Sequence, residues 1–210
     1  MSGKRVLREA VLAARAAMPD DARAADDATL IDAVVHLTSG LFRIAAHVPM
    51  PGEPGGPGLA TALAAVVPEL LLPVLRPDHD LDWALHRGEL TPGTVRGRLQ
   101  EPVGPTLGPA AIATAELIIV PALAVDREGV RLGRGGGSYD RALARVRADL
   151  NLLSVSAPQA SPEIVALLYE DEVVEALPHE PHDHHVTAVF TPAGLLQFRP
   201  RPGSTSGPAS

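Results

Sequence analysis

The sequence predicts an α/β domain of three layers, α/β/α, with a mostly parallel central sheet. Three observations carry that prediction. Segments with apolar residues at helical spacing alternate with short apolar runs. The most apolar run, residues 116–125 (ELIIVPALAV), has no polar alternation and suits a central strand covered on both faces. The length, 210 residues, fits one compact domain, expected over 1–198. Hydrophobic residues make up 46% of the chain but aromatics only 3%, so Ala, Val and Leu must build the core.

The elements follow in order. Val6, Leu7, Ala10, Val11, Ala14 and Ala17 recur at helical spacing and predict a first helix, which Met18-Pro19 ends. Asp20 and Asp21 can cap a second helix running to about His36, with Leu30, Ile31, Val34 and Val35 on its apolar side. Residues 42–48 (FRIAAHV) read as a buried strand. Residues 49–57 (PMPGEPGGP) hold four prolines and three glycines and form a loop. A short helix follows over 59–67. Residues 70–75 (LLLPVL) read as a strand whose Pro73 suits an edge or a bulge. The stretch 76–109 is rich in loops, with one short strand at 81–85. After the 116–125 strand comes a Gly/Arg loop over 126–137, then a helix over 138–148 (SYDRALARVRA). Strands are expected at 164–169 and 186–190, with 195–198 pairing as a hairpin across Gly194. The tail 199–210 (RPRPGSTSGPAS) is polar, rich in Pro, Gly and Ser, and expected to be disordered.

Composition excludes several function classes. The net charge is −7, which argues against a general nucleic-acid binder. There is no cysteine, so disulfides, thiolate zinc sites and a Cys nucleophile are absent together. No apolar run approaches the ~20 residues needed to span a bilayer. The basic N-terminal stretch resembles a transit peptide, but Glu9, Asp20 and Asp21 speak against one, and a cytoplasmic protein is expected. Lys4 is the single lysine, against 17 arginines.

The sharpest feature is 131–141, RLGRGGGSYDR. It follows the strongest strand and opens a helix. Consecutive glycines let backbone N–H groups converge on an anion without interference from Cβ. The helix N-terminus adds partial positive charge, and Arg131 and Arg134 can fork onto phosphate oxygens. The loop is neither a Walker A motif nor a G-x-G-x-x-G fingerprint. Positive charge is concentrated around it: the balance is +4 over 127–147 and +3 over 1–15. Lys4 and Arg8 lie one helical turn apart on one face, where they can share an anion.

The run His179-Glu180-Pro181-His182-Asp183-His184-His185 raises a zinc alternative. Pro181 breaks any helix there, and a solvated polar connection is the preferred reading.

The segment Pro121-Ala122-Leu123-Ala124-Val125-Asp126, followed by the glycine loop through Arg141, resembles the signature of the 5-formyltetrahydrofolate cyclo-ligase family. Three further pieces agree in order: Lys4-x-x-x-Arg8, Glu101-Pro102, and Leu177-Pro178-His179-Glu180-Pro181-His182-Asp183. The resemblance spans about 4–195. It implies a three-layer fold of NagB/RpiA/CoA-transferase type and an ATP- and Mg²⁺-dependent ligase. Such an enzyme turns 5-formyltetrahydrofolate into 5,10-methenyltetrahydrofolate, through phosphorylation of the formyl oxygen and ring closure by N10. The partners it implies are small molecules, without nucleic acid or membrane, and a monomer is expected.

Carried over by position, Lys4, Arg5, Val6, Leu7 and Arg8 bind ATP together with Arg131, Leu132, Gly133, Arg134, Gly135, Gly136, Gly137, Ser138 and Tyr139. Glu53, Trp83 and Glu101 serve the folate, with 134–138 also facing the formyl group. Arg134, Tyr139 and Asp140 are the expected catalytic residues, and Asp140 and Asp183 hold the metal. Trp83 and Tyr139 are candidates for stacking on substrate rings, though each suits core packing equally. Two positions depart from the family pattern. Ser138 replaces the first of two aromatic residues, and Pro54-Gly55-Gly56 replaces an acid and a Thr after the folate-side Glu. These departures motivate an alternative: a non-catalytic nucleotide- or folate-binding relative.

Overall fold

The computed structural model describes residues 3–97, 99–153, 161–178 and 184–198. The tail, Asp183 and residues 179–182 of the histidine run lie outside the described residues. The elements in chain order are α1 (Gly3–Ala17), α2 (Asp20–Thr38), β1 (Arg43–Ala46), α3 (Leu59–Ala64), β2 (Glu69–Leu75), β3 (Leu81–Leu85), β4 (Leu90–Pro92) and β5 (Gln100–Pro102). A short 3-10 helix (Pro109–Thr114) leads into β6 (Leu117–Pro121), β7 (Ala124–Asp126), β8 (Arg131–Leu132), α4 (Ser138–Leu153) and β9 (Glu163–Leu167). A second 3-10 turn (Glu170–Glu172), β10 (Val173–Val174), β11 (Ala188–Thr191) and β12 (Gly194–Gln197) complete the set.

Seven strands form the main sheet in the order β12-β11-β9-β6-β1-β2-β3. The five inner strands run parallel, while β12 and β3 join antiparallel at the two edges. One face buries Ala45, Leu71, Ile118 and Val120 against Ile112 and the α4 residues Ala142, Leu143 and Val146. The other buries Ile44, Leu70, Leu72 and Ile119 against Leu30 and Val34 of α2 and Leu59, Ala60 and Leu63 of α3. Successive strand residues point to opposite faces, so the unbroken apolar runs are what two covered faces require. Three layers, as the sequence predicts, are the result.

Four expectations need correction. The run 116–125 is two strands in two sheets. β6 ends at Pro121, which has no N–H to extend the ladder, and the chain turns at Ala122-Leu123 before β7 pairs with β8 and β10 in a small separate sheet. The Gly/Arg loop therefore begins with a β7–β8 hairpin. The stretch 76–109 contains a second hairpin, β4–β5, besides β3. Pro73 is on neither an edge strand nor a bulge: β1 pairs with β2 only over 69–71, so a missing N–H at Pro73 costs no bond to β1. At α2 the cap residue is Pro19, with no side-chain cap; Asp20 and Asp21 sit in the first turn, where they complement the helix dipole.

Helix α1 lies outside the three layers, on the small sheet. Val11 packs with Leu123, Ala124, Val130, Leu132 and Leu177. Arg15, buried with it, donates from Nε and Nη2 to the two Glu172 carboxylate oxygens at 2.6 and 2.7 Å, and from Nη2 to the Ala122 carbonyl at 2.8 Å. Its guanidinium also lies over the Tyr169 ring, 5.7 Å from the centroid. Breaking a buried pair from one side strands the other charge. Arg15→Ala should therefore cost about 3–5 kcal/mol of stability in urea unfolding, and adding Glu172→Gln should recover part of it. A loss under about 1 kcal/mol would show that the pair does not anchor α1.

Candidate functional site

In a sheet of parallel strands, ligands bind beyond the carboxyl ends of the strands. Here a cleft of about 570 Å³ opens at that position. His47, Val48 and Met50, which follow β1, form one wall, with Pro121, Ala122 and Leu123 at the end of β6 beside them. The glycine loop, the 49–58 loop and the β4–β5 hairpin enclose the rest.

The basic frame comes from two directions. Helix α1 brings Lys4 and Arg8 to the cleft, and Arg8 Nε donates to the Gly133 carbonyl at 2.8 Å. Arg5 and Val6 face elsewhere: Arg5 pairs loosely with Glu9 at 3.9 Å, and Val6 is half-exposed. Leu7 packs against the small sheet's core. Of the five N-terminal candidates, Lys4 and Arg8 alone line the cleft.

Residues 131–140 all line it. Gly135 and Gly137 take positive φ, +94° and +68°, a region that costs side-chain-bearing residues about 1–2 kcal/mol. A Cβ on Gly137 would fall 3.1 Å from Arg141 Nη1. The positive φ is what favours glycine at both positions, since the Arg141 side chain can give way, and the loop delivers its backbone to the cleft at the start of α4. Arg131 is committed: its side chain is 4% exposed, Nη2 donates to Asp140 Oδ1 at 2.7 Å, and Nη1 reaches the Pro121 carbonyl at 3.2 Å. Arg134 is exposed, and its Nε donates to Glu53 Oε1 at 2.8 Å, joining the phosphate-side and folate-side candidates.

Glu53 is buried, with Oε2 accepting from the Met50 N–H at 2.9 Å. Its loop is pinned from α2, where Asp27 Oδ1 accepts the Gly55 N–H at 2.9 Å. Gly55 and Gly56 also have positive φ, and a Cβ on Gly56 would meet Asp27 Oδ2 at 2.6 Å. The Pro54-Gly55-Gly56 departure is thus buried packing against α2, and none of the three residues lines the cleft. Ser138 Oγ donates to the His79 carbonyl at 2.6 Å, which Arg141 also contacts. That hydroxyl ties the 76–80 turn to the glycine loop, so Ser138 has a use of its own. Glu101 is buried and accepts the Leu75 N–H at 3.0 Å.

Trp83 does not enter the cleft. It is fully buried and meets Tyr139 edge to face, with centroids 6.5 Å apart at 79°. Its face is therefore closed to a substrate ring, and Tyr139 is the aromatic that reaches the cleft. The Tyr139 hydroxyl is buried with no partner among the described residues. Burial pushes its pKa far above the ordinary phenol value, and Glu53 acts in the same direction. Among the described residues no three His, Asp or Glu side chains gather where they could hold a metal ion. His185 of the histidine run bonds instead through Nδ1 to the Glu128 carbonyl at 3.0 Å.

Sequence reading missed His47, His79 and Arg96, which also line the cleft. For His47 a signal existed: it is a lone polar residue near the carboxyl end of a predicted strand, 42–48, the end at which ligands bind in a parallel sheet.

The model of the 5-formyltetrahydrofolate cyclo-ligase family matches residues 1–192. The chain belongs to that family. A 5-formyltetrahydrofolate cyclo-ligase of Mycolicibacterium smegmatis is 36% identical over 201 residues, covering 93% of this chain and 97% of that one. The solution structure of Aquifex aeolicus 5,10-methenyltetrahydrofolate synthetase has a TM-score of 0.72 at 26% identity, over 94% of this chain and 93% of the other. A Mycoplasma pneumoniae 5,10-methenyltetrahydrofolate synthetase shares the fold, with a TM-score of 0.64 at 16% identity, over 90% and 98%. Relatives at this coverage are cyclo-ligase enzymes, which supports the catalytic reading over the non-catalytic alternative, and membership in the family implies ATP use.

Burial holds the His47 imidazole below its ordinary pKa; Glu53 opposes that shift and Arg15 reinforces it. Burial lowers His86 likewise. The unfolded chain takes up these protons near pH 6.5, while the folded chain resists until lower pH. Stability is then complete above about pH 6.5 and falls as pH drops below it. Urea midpoints measured from about pH 7.5 down to 5.5 should decline, and His47→Phe should flatten that slope. An unchanged slope in the variant would refute the assignment.

Proposed function

We propose that this chain is an ATP- and Mg²⁺-dependent 5-formyltetrahydrofolate cyclo-ligase that releases 5,10-methenyltetrahydrofolate, ADP and phosphate. One observation carries the proposal: the glycine loop, Arg8 and Arg134 share a cleft with Glu53 and Tyr139. The Arg134–Glu53 pair spans from the cationic side to the carboxylate side.

The reaction needs that juxtaposition. A formamide oxygen leaves poorly, so it first takes the γ-phosphoryl group of ATP, and ADP departs. N10 then attacks the activated carbon and loses its proton, and the oxygen leaves within inorganic phosphate. Phosphoryl transfer of this kind depends on positioning and charge neutralisation. Lys4, Arg8, Arg134 and the backbone of 133–138 are suited to the phosphates. Glu53 and Glu101 suit the N–H groups of the folate head, and Tyr139 offers it a ring edge.

Asp140 fits a share in a metal site: it lines the cleft next to the glycine loop, and one of its oxygens is steadied by Arg131. Magnesium bound by Asp140 and Asp183, partly through water, would offset charge on the transferred phosphoryl group. The proposal includes a cytoplasmic monomer acting on small molecules. The net charge of −7 supports excluding nucleic acid, and no described helix is long and apolar enough to cross a membrane.

The assay is the rise in product absorbance at about 360 nm with ATP, Mg²⁺ and 5-formyltetrahydrofolate, and turnover on the usual enzyme scale is expected. Arg134→Ala and Asp140→Asn should each lower kcat by about 10²–10³. Each also strands a buried partner, Glu53 or Arg131, so the urea midpoint should fall as well, and kcat is compared on protein shown to be folded at the assay temperature. Lys4→Ala should raise the KM for ATP by about tenfold. Absence of product with the unaltered protein sinks the proposal, and full activity in the variants sinks the assigned roles.

A further inference from the structure

His47 is a polar residue at the end of an apolar strand. Ile44, Ala45 and Ala46 before it are fully buried, and His47 itself is 4% exposed. Its backbone N–H continues the sheet by donating to the Ile119 carbonyl at 3.1 Å. The residue lines the cleft, and its ring nitrogen Nδ1 is buried with no partner at hydrogen-bond geometry among the described residues; the Ile119 backbone beside the ring acts on its pKa as a hydrogen-bond partner would, against the larger effect of burial. A buried polar atom without a partner is destabilising, and an aliphatic side chain would fill the same space at no such cost.

We propose that His47 is a substrate-specificity residue, whose imidazole at the cleft wall hydrogen-bonds the uncharged heterocyclic end of the folate. The inference rests on the cyclo-ligase reading above and goes beyond its motif residues. Two further observations select the ligand chemistry. Burial keeps the imidazole uncharged near neutral pH, so its ring carries one N–H donor and one bare nitrogen acceptor. That pair suits a heterocycle with both N–H and C=O groups, whereas phosphate accepts only. The neighbours agree: the Glu53 carboxylate acts electrostatically on both His47 and Tyr139 and disfavours a second anion there. Two more cleft-lining residues carry a buried polar atom without a partner among the described residues: Tyr139 Oη, which adds another hydrogen-bonding group, and Arg131 Nε, whose guanidinium is held by Asp140. Lys4, Arg8 and the glycine loop remain for the phosphates.

The test compares His47→Phe, which removes the polar atom, with His47→Asn, which keeps an amide near the Nδ1 position. With His47→Phe the KM for 5-formyltetrahydrofolate should rise about tenfold or more, while the KM for ATP stays within about twofold. His47→Asn should restore the folate KM to within about threefold of the unaltered protein. Equal changes in both KM values, or no change in the folate KM, overturn the proposal. Calorimetry with 5-formyltetrahydrofolate alone separates the two levels of inference. Binding without turnover by the unaltered protein sinks the enzyme reading only. Equal binding by the unaltered protein and His47→Phe sinks the His47 role, and no binding by the unaltered protein sinks both. If His47→Phe does not fold, His47→Leu takes its place with the same expected outcomes.

Discussion

The buried pair between Arg15 and Glu172 fixes where the N-terminal helix lies, and half of the cleft's cationic frame depends on that position. Helix α1 buries only Val11 and Arg15. So little apolar contact would leave a helix free to slide or roll. Arg15 removes that freedom with bonds to two Glu172 oxygens and one carbonyl, and Glu172 is held in turn by the Tyr169 N–H at 2.9 Å. Lys4, Arg8, Val11 and Arg15 follow at intervals of four, three and four, one stripe along the helix. Locking Arg15 therefore sets Arg8 two turns upstream and Lys4 another turn beyond. An ion pair is a costly anchor, since desolvation consumes much of its attraction. It gives direction and register, which a small apolar contact cannot.

Three arginines of the cleft already have partners. Arg131 is tied to Asp140 and Pro121, Arg134 to Glu53, and Arg8 to the Gly133 carbonyl. They differ in what they can exchange. Arg131 is buried with a carboxylate, so its geometry is set by the fold. Arg134 is exposed and holds Glu53 through Nε. Arg8 donates to a neutral carbonyl, which an anion can outcompete. Such a graded frame is organised before the ligand arrives, and little reorientation is left to accompany charge development. The 49–58 loop obeys the same logic from the acidic side. Asp27 holds Gly55, and the loop presents Glu53 without any regular secondary structure of its own.

What the sequence made legible was local. The glycine loop, the helical stripes of α1 and α2, and the buried strands β1, β6 and β9 are written within a few residues each. What was hidden depends on partners distant in the chain. Residues 116–125 are apolar throughout because both halves are buried, but apolarity does not say in which sheet. The β4–β5 hairpin is short and polar, and it stands on contacts such as the one from Leu75 to Glu101, 26 residues apart. Gly55 and Gly56 resembled a change in the pocket, because Asp27, which explains them, lies 28 residues upstream of Gly55. Arg131 resembled a phosphate fork, because the bend that brings Asp140 back onto it is invisible in a linear motif. His47 sat at a position that strand geometry marks out, but its buried, unpartnered nitrogen became visible only with the packing around it.

The scarcity of aromatic residues gains a meaning from the same geometry. The chain has one Trp and two Tyr; each Tyr ring lies beneath an arginine that supports the cleft, and the Trp packs on one of them. Tyr139 has Arg131 over its ring at 6.0 Å and Trp83 at its edge. Tyr169 has Arg15 over its ring and donates its hydroxyl to Asp27 at 3.0 Å. Aliphatic side chains fill the two faces of the sheet well, because packing there asks only for volume and shape. A buried guanidinium asks for more: it needs a flat, electron-rich face as well as acceptors in its plane. Leu, Val and Ala cannot supply that face. An aliphatic core therefore suffices where the protein only has to be stable, and the Trp and Tyr residues are concentrated where arginines must be held still.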